Sequence, residues 1–296
     1  MASFTQRFSR QLAVPLALTI LVFTSGFSPL ESLFAPNSNL IPRWADFNTE
    51  STETVNQNEW ATFIQKYREE NYDGIARIAY HRVSFEDRLA LKEHLKYLQG
   101  IQVSNLNRNQ QLAYWINLYN ATTVNLILEH MPVESIRDIN ISPGLFASGP
   151  WGKKLLRIEG EKVSLNDIEH GILRPGWKDP RIHYALNCAS LGCPDLPKEV
   201  ITAVEHDAQL TAAARRFIDH SRAVSIGENN EAIVSSIYVW FKEDFGGSDA
   251  AVLDHLRTYA SKERQKELMK IRSIENHTYD WGLNSVPAVA TASTGS

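Results

Sequence analysis

The sequence predicts an α+β fold, with a helical N-terminal part packed on a small, mostly antiparallel sheet in a single domain. Two observations carry this reading. Apolar residues recur with helical spacing through the first half of the folded region. Short apolar runs follow, and several are joined by tight polar turns rather than by crossover helices, which favours hairpins over a doubly wound sheet.

The elements follow in order. Over 58–70, Trp60, Phe63, Ile64 and Tyr67 fall at i, i+3, i+4 and i+7, so a helix lays one face on the core. Ser84-Phe-Glu-Asp87 reads as a capping box opening a helix to about Leu98, with Leu91, Leu95 and Leu98 inward. A longer helix spans 109–129. Leu112, Trp115, Ile116, Tyr119 and Thr123 form its main stripe, and Val124 and Leu128 mark a second apolar side. Asn117 and Asn120 share one side of it, and mid-helix amides on an enclosed helix need partners: a site wall or a pinned loop.

A hairpin is expected over 154–165, then a short helix capped by Ser164 and stopped at Arg174-Pro175. Residues 181–187 alternate like a strand, placing Arg181 and His183 on one face and Tyr184 on the other. A helix over 202–220, a hairpin of 223–226 with 231–240, and a helix over 248–259 complete the pattern.

The ends of the chain bound its context. Arg7 and Arg10 precede an apolar run over 12–23, and no acid appears before Glu31, which fits a secretory leader of about 7–15 apolar residues. Residues 1–26 are therefore read as a signal peptide or an N-terminal anchor, 27–56 as a linker, 57–284 as the folded domain and 285–296 as a disordered tail. Either form of the leader places the protein outside the cytoplasm, periplasmic or anchored facing the periplasm, with membrane association through the N-terminal segment. Removing the leader takes two arginines and no acid, so the net charge of −4 becomes about −6. An acidic, unclustered balance carries no electrostatic footprint for nucleic acid.

Five blocks stand out: Tyr114-Trp-Ile-Asn117-Leu-Tyr-Asn120, Ile168-Glu169-His170-Gly-Ile-Leu-Arg174, Arg181-Ile-His183-Tyr-Ala-Leu-Asn-Cys188-Ala-Ser190-Leu-Gly-Cys193-Pro, Trp240-Phe-Lys-Glu-Asp244-Phe and Tyr279-Asp-Trp281-Gly-Leu-Asn284. In order and spacing, over roughly residues 58–284, they resemble the domain of unknown function 547 family. The resemblance implies a bacterial envelope-type α+β domain whose pocket is built from these blocks, similar to papain-like and transglutaminase-like thiol enzymes.

The residues themselves point to a thiol-dependent hydrolase or acyltransferase acting on an amide or ester of a small molecule or peptide. Cys188 precedes a run of small residues whose backbone N–H groups could face a developing oxyanion. His170 is the leading base with Glu169 as its orienter, and His183 is the rival. Asn117, Asn120, Arg174, Arg181, Ser190 and Trp240 are the expected substrate-binding residues, the arginines as clamps for a carboxylate. The alternative is a non-catalytic envelope binding module in which Cys188 and Cys193 form a structural disulfide. The His183-x4-Cys188-x4-Cys193 spacing fits no established zinc pattern, so neither metal nor cofactor is expected.

Overall fold

A computed structural model describes residues 37–144 and 149–287. The leader expected over 1–26, the start of the linker and most of the tail lie outside these residues. Among the described residues no helix is long and apolar enough to cross a membrane.

Helix α1 (Asn58–Tyr67) buries the four side chains expected of it, then turns directly into strand β1 (Arg68–Glu70), which pairs antiparallel with β2 (Ala76–Ile78). Helix α2 (Phe85–Gln99) is capped by Ser84, whose hydroxyl accepts from Asp87 N–H. Helix α3 (Arg108–His130) starts at the Asn107 cap and is buried along almost its whole length. It is the central post of the larger core. Trp44 packs edge-on to Trp115 of this helix at 5.2 Å, and Val55 is also buried. Trp44 and Val55 thereby anchor the otherwise largely exposed residues 41–55 of the expected linker to the body.

Strands β3 (Leu156–Ile158) and β4 (Glu161–Val163) form the expected hairpin. The following helix does not stop at Pro175. It runs as a π-helix, Asp167–Leu173, into α4 (Arg174–Trp177). In this wider turn Arg174 N–H reaches the carbonyl of Glu169, and Pro175 occupies an early position of α4 where no N–H is required.

The strand expected at 181–187 is absent. Pro180–Tyr184 is a 3-10 turn, opened by Pro180 and capped by Asp179, whose carboxylate accepts from Arg181 N–H. Alternation of apolar residues here reflects turns buried on both sides, not a pleat, so Arg181 and His183 do not share a sheet face.

The second core gathers around α5 (His206–Asp219), β5 (Val224–Ile226) and β6 (Glu231–Ser235). The second strand of this hairpin ends at Ser235, and α6 (Ile237–Trp240) replaces its expected continuation. Helix α7 (Asp249–Tyr259), helix α8 (Lys262–Leu268) and strand β7 (Ser273–Thr278) follow. β7 adds parallel to β6, giving the order β5-β6-β7. Both α8 and β7 escape sequence reading, since each is short, largely polar and held by its neighbours. β7 delivers the chain back to the body: residues 279–284 cross the 188–193 loop, and Val286 N–H bonds to Ile78 O at 2.9 Å.

Candidate active site

A cavity of about 390 Å³ opens where α3, the π-helix, the 183–193 loop, α6 and residues 279–281 meet. Cys188, His170, His183 and Glu169 all line it, so the four expected catalytic residues share one space. Trp240 lines it as well.

Cys188 is half-buried and Cys193 buried, and neither is in a disulfide, so the structural bridge of the alternative reading is not formed. The Cys188 sulfur lies 2.9 Å from the Tyr279 hydroxyl and 3.5 Å from that of Ser190, and these two hydroxyls are 2.8 Å apart. Its backbone N–H donates to Cys193 Sγ at 3.1 Å. The Cys193 thiol, with help from Ser190 and Tyr279, outweighs the cost of burial and lowers the Cys188 pKa below that of an ordinary thiol, although the Glu169 charge opposes this. Burial and the adjacent Cys188 sulfur drive Cys193 well upward, so it stays a thiol. Burial and the two sulfurs likewise keep Tyr279 a protonated phenol. The sulfur therefore sits beside two hydroxyls able to donate to it. No histidine nitrogen lies within hydrogen-bond distance of it among the described residues.

The loop carrying Cys188 is tightly specified. Ala189 sits at φ 58°, a left-handed conformation that costs a residue bearing Cβ about 1–2 kcal/mol. Asn187 offsets this locally: its side chain accepts from Ala189 N–H and donates to Pro194 O. Asn284 Nδ2 bonds to Asn187, and Tyr80 donates to Asn284 in turn.

Several of the backbone donors expected to face an oxyanion are committed within the fold. Leu191 N–H bonds to Gly282 O, Gly192 N–H to Asp280 O and Cys193 N–H to Ser190 O. Gly192 is required because a Cβ there would lie 2.6 Å from Asp280 N. The small residues admit the 279–284 segment, and that segment brings Tyr279 and Trp281 to the cavity.

Across the cavity the acid–base groups form one network. Glu169 accepts from the Tyr119 hydroxyl at 3.1 Å and lies 3.8 Å from His183 Nδ1 and 4.0 Å from His170 Nδ1. His183 Nε2 is 2.7 Å from Asp244 Oδ2, which also pairs with Arg174 at 2.6 Å. Burial would raise Asp244, yet the bonds from His183 and Arg174 outweigh it and hold the carboxyl far below the usual range. An ionised Asp244 can only accept, so His183 Nε2 carries a proton. Arg174 can only donate, and its Nη1 is 3.0 Å from His170 Nδ1, which must accept. Burial, reinforced by the Arg174 charge and opposed by Glu169, lowers the His170 pKa to about 4 and keeps that ring neutral. His183 stacks on Phe241 at 4.4 Å.

The remaining expected residues have other places. Asn117 bonds to both backbone groups of Ile201, and Asn120 to Ala185 O and Asn187 N–H, so both amides pin loops and neither lines the cavity. Asn120 thereby holds the approach to Cys188. Arg181 pairs with Asp179 and Asp207, and Arg174 lies behind His170 rather than on the cavity lining. Ser190 acts on the sulfur and on Tyr279. Sequence reading missed the site roles of Asp244 and Tyr279. Both fall in blocks flagged above, but no spacing signal ties Asp244 to a histidine 61 residues away.

Residues 103–218 match a family model described as protein of unknown function, DUF547. Over this segment the chain is similar to that family. The DUF547 match contains Cys188, Glu169, His170 and His183, whereas Asp244, Tyr279 and Trp281 come from outside it. No curated protein and no solved structure matches the chain. Among the described residues no cluster of His, Cys, Asp and Glu is suited to hold a metal ion.

Proposed function

We propose that the protein is a thiol-dependent hydrolase or acyltransferase acting on an amide or ester, with Cys188 as nucleophile. One observation carries the reading. Cys188 has a lowered pKa and lines a cavity that also holds two imidazoles and a carboxylate. Cys193, Ser190 and Tyr279 favour the thiolate, lowering the Cys188 pKa from that of an ordinary thiol.

As Cys188 ionises, its proton passes to the imidazole pair, and the thiolate attacks the acyl carbon, forming an S–C bond while the carbonyl π pair moves onto oxygen. Tyr279 is the nearest donor for the negative charge as it passes from sulfur to oxygen. Collapse restores the carbonyl, breaks the bond to the amine or alkoxide, and delivers a proton to it from the imidazole pair. Water or another acceptor then gives up a proton to that pair and attacks the thioester, freeing Cys188.

His170 was the leading base by sequence, but its Nδ1 lone pair is committed to Arg174, leaving Nε2–H as a neutral donor. His183 is better suited to carry the proton. Asp244 holds its Nε2–H, and Glu169 sits beside its Nδ1, so carboxylates flank both nitrogens. Glu169 orients both rings. Export of this site, through the apolar leader, is part of the same proposal.

The test is intact mass after incubation with activated esters. A covalent acyl adduct on Cys188, lost in Cys188→Ala and long-lived in His183→Gln, is expected. Turnover without an adduct, or an adduct unaffected by Cys188→Ala, contradicts the proposal. A binding module without catalysis is the second reading, favoured by the commitment of the loop's backbone donors to residues 280–282. It predicts ligand binding unchanged by Cys188→Ala and no product from any ester or amide.

A further inference from the structure

We infer that the cavity receives the acyl side of its substrate as an uncharged, apolar group, aromatic or of medium aliphatic length, and discriminates against carboxylates. This deepens the thiol-enzyme reading and rests on it. The walls divide by chemistry. Glu169, His170 and His183 supply the ionisable oxygen and nitrogen groups, while Trp151, Leu186, Ile237, Trp240, Phe241 and Trp281 supply large apolar side chains.

The aromatic part is one continuous surface. Trp240 and Trp281 stack at 5.8 Å, Tyr279 lies 4.9 Å and 4.7 Å from them, and Trp151 meets Trp281 edge-on at 5.8 Å. Tyr279 belongs both to this surface and to the sulfur's hydrogen bonds, so a group laid on the aromatic wall is next to Cys188. The volume of about 390 Å³ corresponds to roughly a dozen waters at about 30 Å³ each. Displacing them with hydrocarbon against Trp and Phe faces is favourable, whereas displacing them with a charge is not.

Charge selects in the same direction. No lysine or arginine lines the cavity among the described residues. Arg174 is turned to Asp244 and His170, with its guanidinium over Phe241 at 4.7 Å, and Arg181 is held by Asp179 and Asp207. A carboxylate substrate would meet Glu169 with no cation opposite it, which reverses the sequence expectation of arginine clamps.

The experiment measures the rate of Cys188 alkylation by iodoacetamide, N-benzyl iodoacetamide and N-(4-carboxybenzyl) iodoacetamide, with the site identified by peptide mass. In each the thiolate forms an S–C bond and iodide departs, so the warhead is constant and only the appended group varies. The benzyl reagent is expected to react about tenfold or more faster than the parent, from burial of one ring, and the carboxybenzyl reagent to lose that advantage. Trp240→Ala brings the benzyl-to-parent ratio close to one. Equal rates for the three reagents, or the carboxylate reacting fastest, overturns the inference. If none of them modifies Cys188 in the folded protein, the thiol-enzyme reading itself fails, and the two failures are distinct.

Discussion

The Tyr279 hydroxyl lies 2.9 Å from the Cys188 sulfur, although 91 residues separate them in the chain. Strand β7 and the 279–284 segment bring this contact about. The candidate nucleophile and its imidazoles come from the segment matched by the family model, while the donor beside the sulfur comes from the C-terminal part. Tyr279→Phe keeps the ring against Trp240 and Trp281 and deletes only the donor. The Cys188 pKa should rise, and alkylation at neutral pH should slow by about tenfold or more, a loss of about 1.5–3 kcal/mol for one hydrogen bond to a charged group. Circular dichroism should be unchanged. An alkylation rate equal to wild type removes Tyr279 from the account.

Gly192→Ala tests the same contact from the other side. The added Cβ would meet backbone atoms of Asp280 and the Tyr279 ring at 2.6–3.0 Å, and backbone yields poorly. Overpacking of this kind costs about 1–3 kcal/mol. The melting temperature should fall, and Cys188 should lose reactivity alongside it, because Tyr279 moves with the segment. A variant as stable and as reactive as wild type would show that the crossing is loosely held.

Asp244→Asn separates the nucleophile from the proton carrier. It removes the carboxylate from His183 Nε2 and from the buried Arg174 together. Breaking such a pair costs of the order of 3 kcal/mol, and the His183 tautomer is no longer enforced. Alkylation of Cys188 should persist near its wild-type rate, while breakdown of an acyl adduct slows by tenfold or more. Parallel loss of both would place Asp244 in the fold alone.

Acid should destabilise the protein in a defined window. Burial lowers the pKa of His94, His170 and His255 from 6.5 to about 4. These rings are neutral in the fold and take up protons in the unfolded chain, so unfolding binds protons between pH 6.5 and 4. Stability therefore falls as pH drops through that range, with a limiting slope of about 1.4 kcal/mol per pH unit for each ring. Urea melts between pH 7 and 4.5 measure this, and His170→Gln should flatten the slope. A pH-independent midpoint would contradict the buried neutral state.

The helices of the first half were legible because their burial follows their period: Trp60, Phe63, Ile64 and Tyr67 point where spacing places them. The 183–193 region was legible in composition but not in shape. Pro180 and Asp179 open a 3-10 turn, and apolar alternation cannot distinguish a pleat from a turn buried on both sides. Glu169, His170, His183 and Cys188 were recognisable by residue type and block. The pairing of His183 with Asp244 and of Cys188 with Tyr279 was not, because only the path of α6 and β7 brings those partners back. The π-helix was likewise hidden, since Pro175 reads locally as a stop.

The most direct test of the central claim is the pH dependence of Cys188 alkylation by iodoacetamide in the folded protein, resolved from Cys193 by peptide mass. The structure predicts that Cys188 reacts in preference to Cys193, with a midpoint below the value of about 8.5 for an ordinary thiol. A midpoint at or above that value, or a Cys193 that reacts as fast, would contradict it.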